Sequence, residues 1–305
     1  MDLGLNELQI HPLSRESNYT YSTSMNYGIC PLSVVPVRSS ASDKSEMVTQ
    51  LLFGETVEIL DTKSSWSRIR CTWDNYIGWV DSKQIKALPA SDVESYKNKY
   101  AYSLELIQAA VGDGYYLPIT IGATLPEFDG MHFRLNGSSF TFSGQAISPL
   151  DTQLSTALIL KIARRYLYAP YLWGGRSPMG IDCSGLSQIV FKMAGVAIPR
   201  DASEQVHIGH MVDFNEQAQA GDLAFFENKK GNISHVGILL SKNEIIHASG
   251  QVRVDKIDHF GIFNETTEKY THKLRVIKRL LPTDDEVLAE EKTEKEDVEN
   301  QVKLF

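Results

Sequence analysis

Tyr171-Leu172-Trp173-Gly174-Gly175 runs on toward Asp182-Cys183-Ser184-Gly185-Leu186. A glycine-rich loop enters a cysteine, and an apolar, helix-compatible stretch, Leu186 to Ala194, leaves it. This order puts Cys183 at a helix N-terminus. Free N–H groups and the helix dipole favour an anion there, so the sequence predicts a lowered thiol pKa and a thiolate able to attack carbonyl carbon. Two histidines follow in strand-like surroundings, His235 in Ile233-Ser234-His235-Val236-Gly237-Ile238 and His247 in Ile245-Ile246-His247-Ala248-Ser249. A thiol, an imidazole to take its proton and a polar group to orient that imidazole are the minimum set for thiol acyl transfer.

Around this core the helical stripe Leu154, Leu158, Ile162 and Leu167 comes first. After Gly221-Asp222 short apolar runs follow: 223–226, 233–240, 244–248, 252–254 and 274–277. Helices followed by an antiparallel sheet predict an α+β unit over residues 151–282. Upstream, residues 27–88 alternate with period two in short runs that close on Tyr76-Ile77-Gly78-Trp79-Val80, the pattern of a small barrel. Residues 91–112 read as a helix, with Ser91 or Asp92 as cap. Strand patterns resume over 115–147, with an Asn136-Gly137 hairpin turn, and complete a second small barrel within 89–150.

With 305 residues the chain can hold several domains. Its net charge is −8, and the tail 283–305, with nine acidic residues and three lysines, carries most of it. The nearly neutral body argues against nucleic acid or anionic lipid as the main partner. The composition of the tail predicts disorder or a lone polar helix, and residues 1–26 read as an extension, with Met25 as an alternative start. Cys30 and Cys71 read as reduced core thiols. No apolar run suits a membrane span or a secretory leader, so a cytoplasmic location is expected, with a secreted or periplasmic one left open if the N-terminus was trimmed. No Cys/His cluster has zinc-ligand spacing, so neither a metal nor an organic cofactor is expected. His11, His132, His207, His210, His259 and His272 read as surface or loop residues.

Tyr171-x-Trp173-Gly174-Gly175, Asp182-Cys183-Ser184-Gly185, Ser234-His235-Val236-Gly237-Ile238 and Ile246-His247-Ala248 together resemble the NlpC family of bacterial cell-wall cysteine peptidases, which have a papain-like core. The upstream barrels resemble bacterial SH3-type domains, and this layout is similar to the γ-D-glutamyl-L-diamino-acid endopeptidases that recycle murein peptides. The resemblance implies a multidomain protein, two all-β SH3-like barrels followed by an α+β papain-like peptidase domain. It implies Cys183 as nucleophile, His235 as general base and His247 as its orienting residue. It also implies that the first barrel limits the substrate to a free N-terminal L-alanine, whose ammonium pairs with Glu46 and Asp201 beside Tyr76. Asp182 and Ser184 would touch the substrate next to the nucleophile, and Tyr171 would lend its hydroxyl to the oxyanion. Glu55, in a turn, ranks below Glu46. The expected partner is a murein peptide of the form L-Ala-γ-D-Glu-diamino acid. Two rival readings are a wall-peptide-binding module and a remodelling hydrolase acting on intact murein; a thiol acyltransferase or amidase would use the same core.

Overall fold

The computed structural model describes residues 26–135, 137–150, 154–213 and 217–281. The expectations for the N-terminal extension, Asn136 and the acidic tail lie outside them.

The first unit contains β1 (Tyr27–Ile29), β2 (Val34–Arg38), β3 (Met47–Leu52), β4 (Thr56–Lys63), β5 (Trp66–Cys71), β6 (Ile77–Asp81) and β7 (Lys86–Leu88). They form one antiparallel sheet in the order β3-β2-β6-β5-β4-β1-β7. Inward residues of its period-two pattern, among them Val35, Val37, Leu51, Val57, Ile69 and Val80, make its core, and Cys30 and Cys71 are free thiols buried in it.

Helix α1 (Ala90–Asn98) follows, shorter than the sequence suggests. The rest of the expected helix is β8 (Tyr100–Ser103) and β9 (Ile107–Gly112). The next strands are β10 (Tyr115–Thr120), β11 (Thr124–Pro126), β12 (His132–Leu135), β13 (Ser138–Thr141) and β14 (Ala146–Ile147). The helical reading fails because Asp113-Gly114 folds β9 back on β10, pairing Gly112 with Tyr115. An Asp-Gly turn between two β-prone runs outweighs the modest helix propensity of Ile107–Val111. The middle unit therefore has a four-stranded sheet, β10-β9-β13-β12, and a three-stranded one, β11-β8-β14.

The C-terminal unit opens with α2 (Thr156–Arg165), capped by the Ser155 hydroxyl. After the short hairpin β15 (Arg176–Ser177) and β16 (Gly180–Ile181) comes the buried helix α3 (Cys183–Met193), then α4 (Ala202–Gln205). The remaining strands are β17 (His210–Val212), β18 (Leu223–Glu227), β19 (Ile233–Ser241), β20 (Glu244–Ser249), β21 (Gln251–Asp258), β22 (Gly261–Asn264) and β23 (Lys269–Arg279). Their order is β17-β23-β18-β19-β20-β21-β22, and β22 also pairs with β23, so six strands close into a barrel. Along β19, Val236, Ile238 and Leu240 face the core shared with α3, while Leu239 faces a second core with Phe226, Ile245 and Ile257. By alternation His235 falls on the Leu239 side.

Three consecutive residues join the units. Leu51 packs in the first unit, Leu52 in the core of the C-terminal unit, and Phe53 against Phe133 and Phe140 of the middle unit. Two residues on, Glu55 is buried and accepts from Arg176 Nη1 and Nη2, both at 2.9 Å, and from the Lys192 ammonium. Burial alone would raise its pKa; the charges of Arg176 and Lys192 outweigh that and hold it at about 2. Glu55→Gln would leave two buried cations without their counter-charge. It should cost about 3–5 kcal/mol of unfolding free energy, read from urea unfolding of the whole chain; an unchanged midpoint would show that this cluster does not hold the units together.

Candidate active site

Asp182 caps α3 and fastens the loop before it. Its Oδ1 accepts from Gly185 N at 2.7 Å and from the Ser184 hydroxyl at 3.3 Å; its Oδ2 accepts from Gly174 N at 2.8 Å and from Arg200 Nη2 at 2.7 Å. The Ser184 hydroxyl in turn accepts from Arg200 Nη1 at 2.8 Å. Asp182 and Ser184 line the cleft, but their polar side-chain atoms are engaged in building it rather than free for a ligand. Gly174 shows why this loop carries glycine. Its φ is +75°, and a Cβ there would lie 2.3 Å from the Met47 carbonyl oxygen of the first unit.

Cys183 therefore begins α3, but its thiol does not have the lowered pKa expected from the sequence. Burial, reinforced by Asp182, pushes it up to about 11, against the opposing pull of the Val236 and Ser184 N–H groups and Arg200. The residue is only 8% exposed, and desolvation of the thiolate outweighs the helix terminus. The contact with Val236 N–H sets the sulfur beside the residue that follows His235.

His235 and His247 meet directly, Nε2 to Nδ1 at 2.8 Å, and His247 Nε2 lies 2.9 Å from Asp255 Oδ2. Gly237 makes room for this pair: it lies opposite His247, and a Cβ there would come within 2.9 Å of the His247 Cβ. Burial would raise the pKa of Asp255, but hydrogen bonds from His247 and Arg253 outweigh it and keep the carboxyl ionised. A carboxylate only accepts, so His247 Nε2 carries the hydrogen. With the Nε2–H tautomer of His247, its Nδ1 accepts from His235 Nε2, and the lone pair of His235 is left on Nδ1. Burial, with His247 and His272 beside it, pushes the pKa of His235 well below the usual range, so the ring is neutral at pH 7.

Two of these partners are missing from the sequence reading. Asp255 lies beyond the 252–254 run; the signal for it is the Ser249-Gly250 turn, which pairs His247 with Arg253 and Ile245 with Asp255. His272, read as a surface or loop residue, stacks on His235 with ring centroids 4.1 Å apart. Donor atoms of His235, His247 and His272 lie within 4.8 Å of one another, the donor set of a metal site. The 2.8 Å contact between His235 and His247 is a proton-sharing distance, so seating one ion on both would require the rings to part.

At the other end, the cleft over Cys183 is lined by Glu46, Tyr76, Tyr171, Trp173 and Asp201. Tyr76 donates to Asp201 Oδ2 at 3.3 Å, and Trp173 Nε1 donates to Glu46 Oε1 at 2.6 Å. Burial raises the pKa of Asp201 despite the charge of Arg200. Tyr171 has its pKa raised to about 12 by burial and by Cys183 and Asp182 close by. Glu55 lies outside this cleft.

Residues 168–274 match the NlpC/P60 family, and residues 37–85 match the bacterial dipeptidyl-peptidase Sh3 domain. The chain is 30% identical to the gamma-D-glutamyl-L-lysine dipeptidyl-peptidase of Bacillus subtilis, over 66% of this chain and 71% of that protein. It belongs to the NlpC/P60 family of cysteine peptidases. A Bacillus cereus protein with the same name is 26% identical over 68% of each chain. In fold, the chain is similar to a crystal structure of an NlpC/P60 family protein from Bacillus cereus, with a TM-score of 0.71 at 21% identity, covering 84% of this chain and all of that one. An SH3-type domain thus precedes the NlpC/P60 domain.

Cys30 is pushed up to about 12 and Cys71 well above the usual range, both by burial. Iodoacetamide should therefore modify Cys183 before either of them. Its rate should climb about tenfold per pH unit from neutrality toward 10. A rate already flat at pH 7, followed by mass spectrometry, would mean a resting thiolate.

Proposed function

We propose that the protein is a cysteine endopeptidase that hydrolyses the γ-D-Glu–diamino acid bond of murein peptides bearing a free N-terminal L-alanine. Cys183 is the nucleophile, His235 its base, and His247 and Asp255 fix the imidazole in the required tautomer. His235 Nδ1 takes the thiol proton as sulfur adds to the γ-carbonyl carbon, and the Cys183 backbone N–H receives the oxyanion. Collapse releases the diamino acid, whose amine takes the proton from His235, and water then hydrolyses the acyl-enzyme. Because the resting pair is neutral, the proton moves during attack rather than before it.

The observation that carries the substrate reading is the acidic end of the Cys183 cleft. Glu46 and Asp201 line it together, and the Tyr76 hydroxyl tethers Asp201. Two carboxylates facing one half-buried space favour a cation, and an N-terminal ammonium supplies it. Glu46 belongs to the SH3-type domain, which on this reading closes the cleft to anything beyond that ammonium. We read the middle unit as a degenerate barrel of the same type and the NlpC/P60 domain as papain-like. The names of the two Bacillus relatives agree with this bond class.

Products from L-Ala-γ-D-Glu-diamino acid and its N-acetylated form, separated by mass spectrometry, test the assignment. The acetylated peptide should be cut at least ~30-fold more slowly, the rate equivalent of losing one shielded charge pair worth ~2 kcal/mol. Equal cleavage would point instead to a hydrolase of intact murein. Asp255→Asn should lower kcat about 10²-fold with KM nearly unchanged, because an amide can present N–H to His247 and reverse the tautomer chain. An unaltered kcat would remove Asp255 from the mechanism.

A further inference from the structure

We propose that His272 is a positioning residue for the catalytic base. It holds the plane of the His235 ring and keeps a neutral surface against it while that ring takes and returns the thiol proton. This rests on the roles given to Cys183 and His235 above, and not on the identity of the substrate.

The strands β19, β20 and β23 each send one histidine, His235, His247 and His272, to a common cluster. Strand β18 lies between β19 and β23, and its Phe226 meets two of the rings, with centroids 5.7 Å from His235 and 5.9 Å from His272. The backbone of His272 is fixed by its neighbour strand. Ile262 of β22 pairs with it, and a Cβ on Gly261, whose φ is +142°, would lie 1.8 Å from the His272 carbonyl oxygen. The ring has its own anchor. The Thr271 hydroxyl donates to the Ile262 carbonyl at 3.3 Å, so at 2.8 Å it accepts from His272 Nδ1.

His235 needs such a neighbour. The bond to His247 anchors its ring at Nε2. A ring held at one atom can still tilt, and tilt swings Nδ1 away from the sulfur. His272 stacks on the ring face at 4.1 Å, with 26° between the planes, and closes off that movement on one side. A proton acceptor must stay within hydrogen-bond reach of the proton it takes, so a small tilt is costly in rate.

Charge matters as well as shape. Attack turns His235 into an imidazolium. An aromatic face accepts a cation beside it, whereas a second cation there would oppose it. His272 meets this requirement: burial and the nearby His247 bring its pKa down to about 4, against the pull of Asp255, so the ring is neutral at pH 7.

The test compares His272→Ala, His272→Phe and His272→Arg with the natural protein on L-Ala-γ-D-Glu-diamino acid. Iodoacetamide labelling that spares Cys30 and Cys71 confirms the fold of each variant. His272→Ala should lower kcat about tenfold, the rate equivalent of one ring–ring contact, with KM within about twofold. His272→Phe restores a neutral plane and should stay within about threefold of the natural kcat. His272→Arg keeps a plane but charges it, and should fall below His272→Ala. An unaltered kcat in His272→Ala, a His272→Phe variant no better than it, a His272→Arg variant as active as His272→Phe, or a loss carried by KM would overturn the proposal. Acylation of Cys183 by p-nitrophenyl acetate, read from p-nitrophenolate release and corrected with Cys183→Ala, separates the two readings. If acylation follows the expected order of variants but the natural protein leaves the peptide uncut, only the bond assignment falls. If the peptide is cut and the variants are alike in both assays, only the role of His272 falls.

Discussion

The buried contact of Glu55 with Arg176 and Lys192 is the constraint on which the rest of the molecule depends. Arg176 directly follows the glycine-rich loop, and Lys192 lies near the end of the helix that Cys183 begins. Glu55 belongs to the SH3-type unit, so one carboxylate ties a separate domain to the chain on both sides of Cys183. Its neighbours extend the tie: Arg176 N donates to Gln50 Oε1 at 2.8 Å, and Arg200 Nε to Thr49 Oγ1 at 3.0 Å. Buried ion clusters add little to stability compared with apolar packing, but they tolerate few arrangements. Here the arrangement sets the position of the strand that follows Glu46.

Burial is also the source of the site's chemistry. It raises the thiol of Cys183 and lowers the imidazole of His235, so each is held in its neutral form. A preformed thiolate–imidazolium pair would need that desolvation to be outweighed, and the helix terminus does not do so. The protein instead fixes hydrogen-bond direction, from His235 through His247 to the carboxylate of Asp255. Two consecutive hairpins make this chain possible, since β19, β20 and β21 lie side by side and bring the three residues into register.

Much of this was legible in the chain. The glycine-rich loop, the helix after Cys183 and both histidine strands are local patterns of turn chemistry and periodicity, and the SH3-type unit is readable from its alternation. What was misread has local causes too. Residues 91–112 carry helix-compatible residues throughout, and only the Asp113-Gly114 turn marks the strands. His272 occupies a strand with no motif around it, and its stacking on His235 follows from β23 closing the barrel.

The sequence by itself determined the kind of chemistry, because a cysteine at a helix start and two strand histidines are specified by residues close together in the chain. Only the tertiary structure decided how that chemistry is tuned. Desolvation of Cys183, the engagement of Asp182 and Ser184 by Arg200, the stacking of His272 on His235, and the separate fates of Glu46 and Glu55 all arise between segments that only the fold brings together. Glu46 faces the cleft and Glu55 is sealed at the domain junction, although both sit at ends of the same short stretch around β3. Periodicity tells which residues a strand can bury; what it buries them against depends on the partner surface, which no local pattern records.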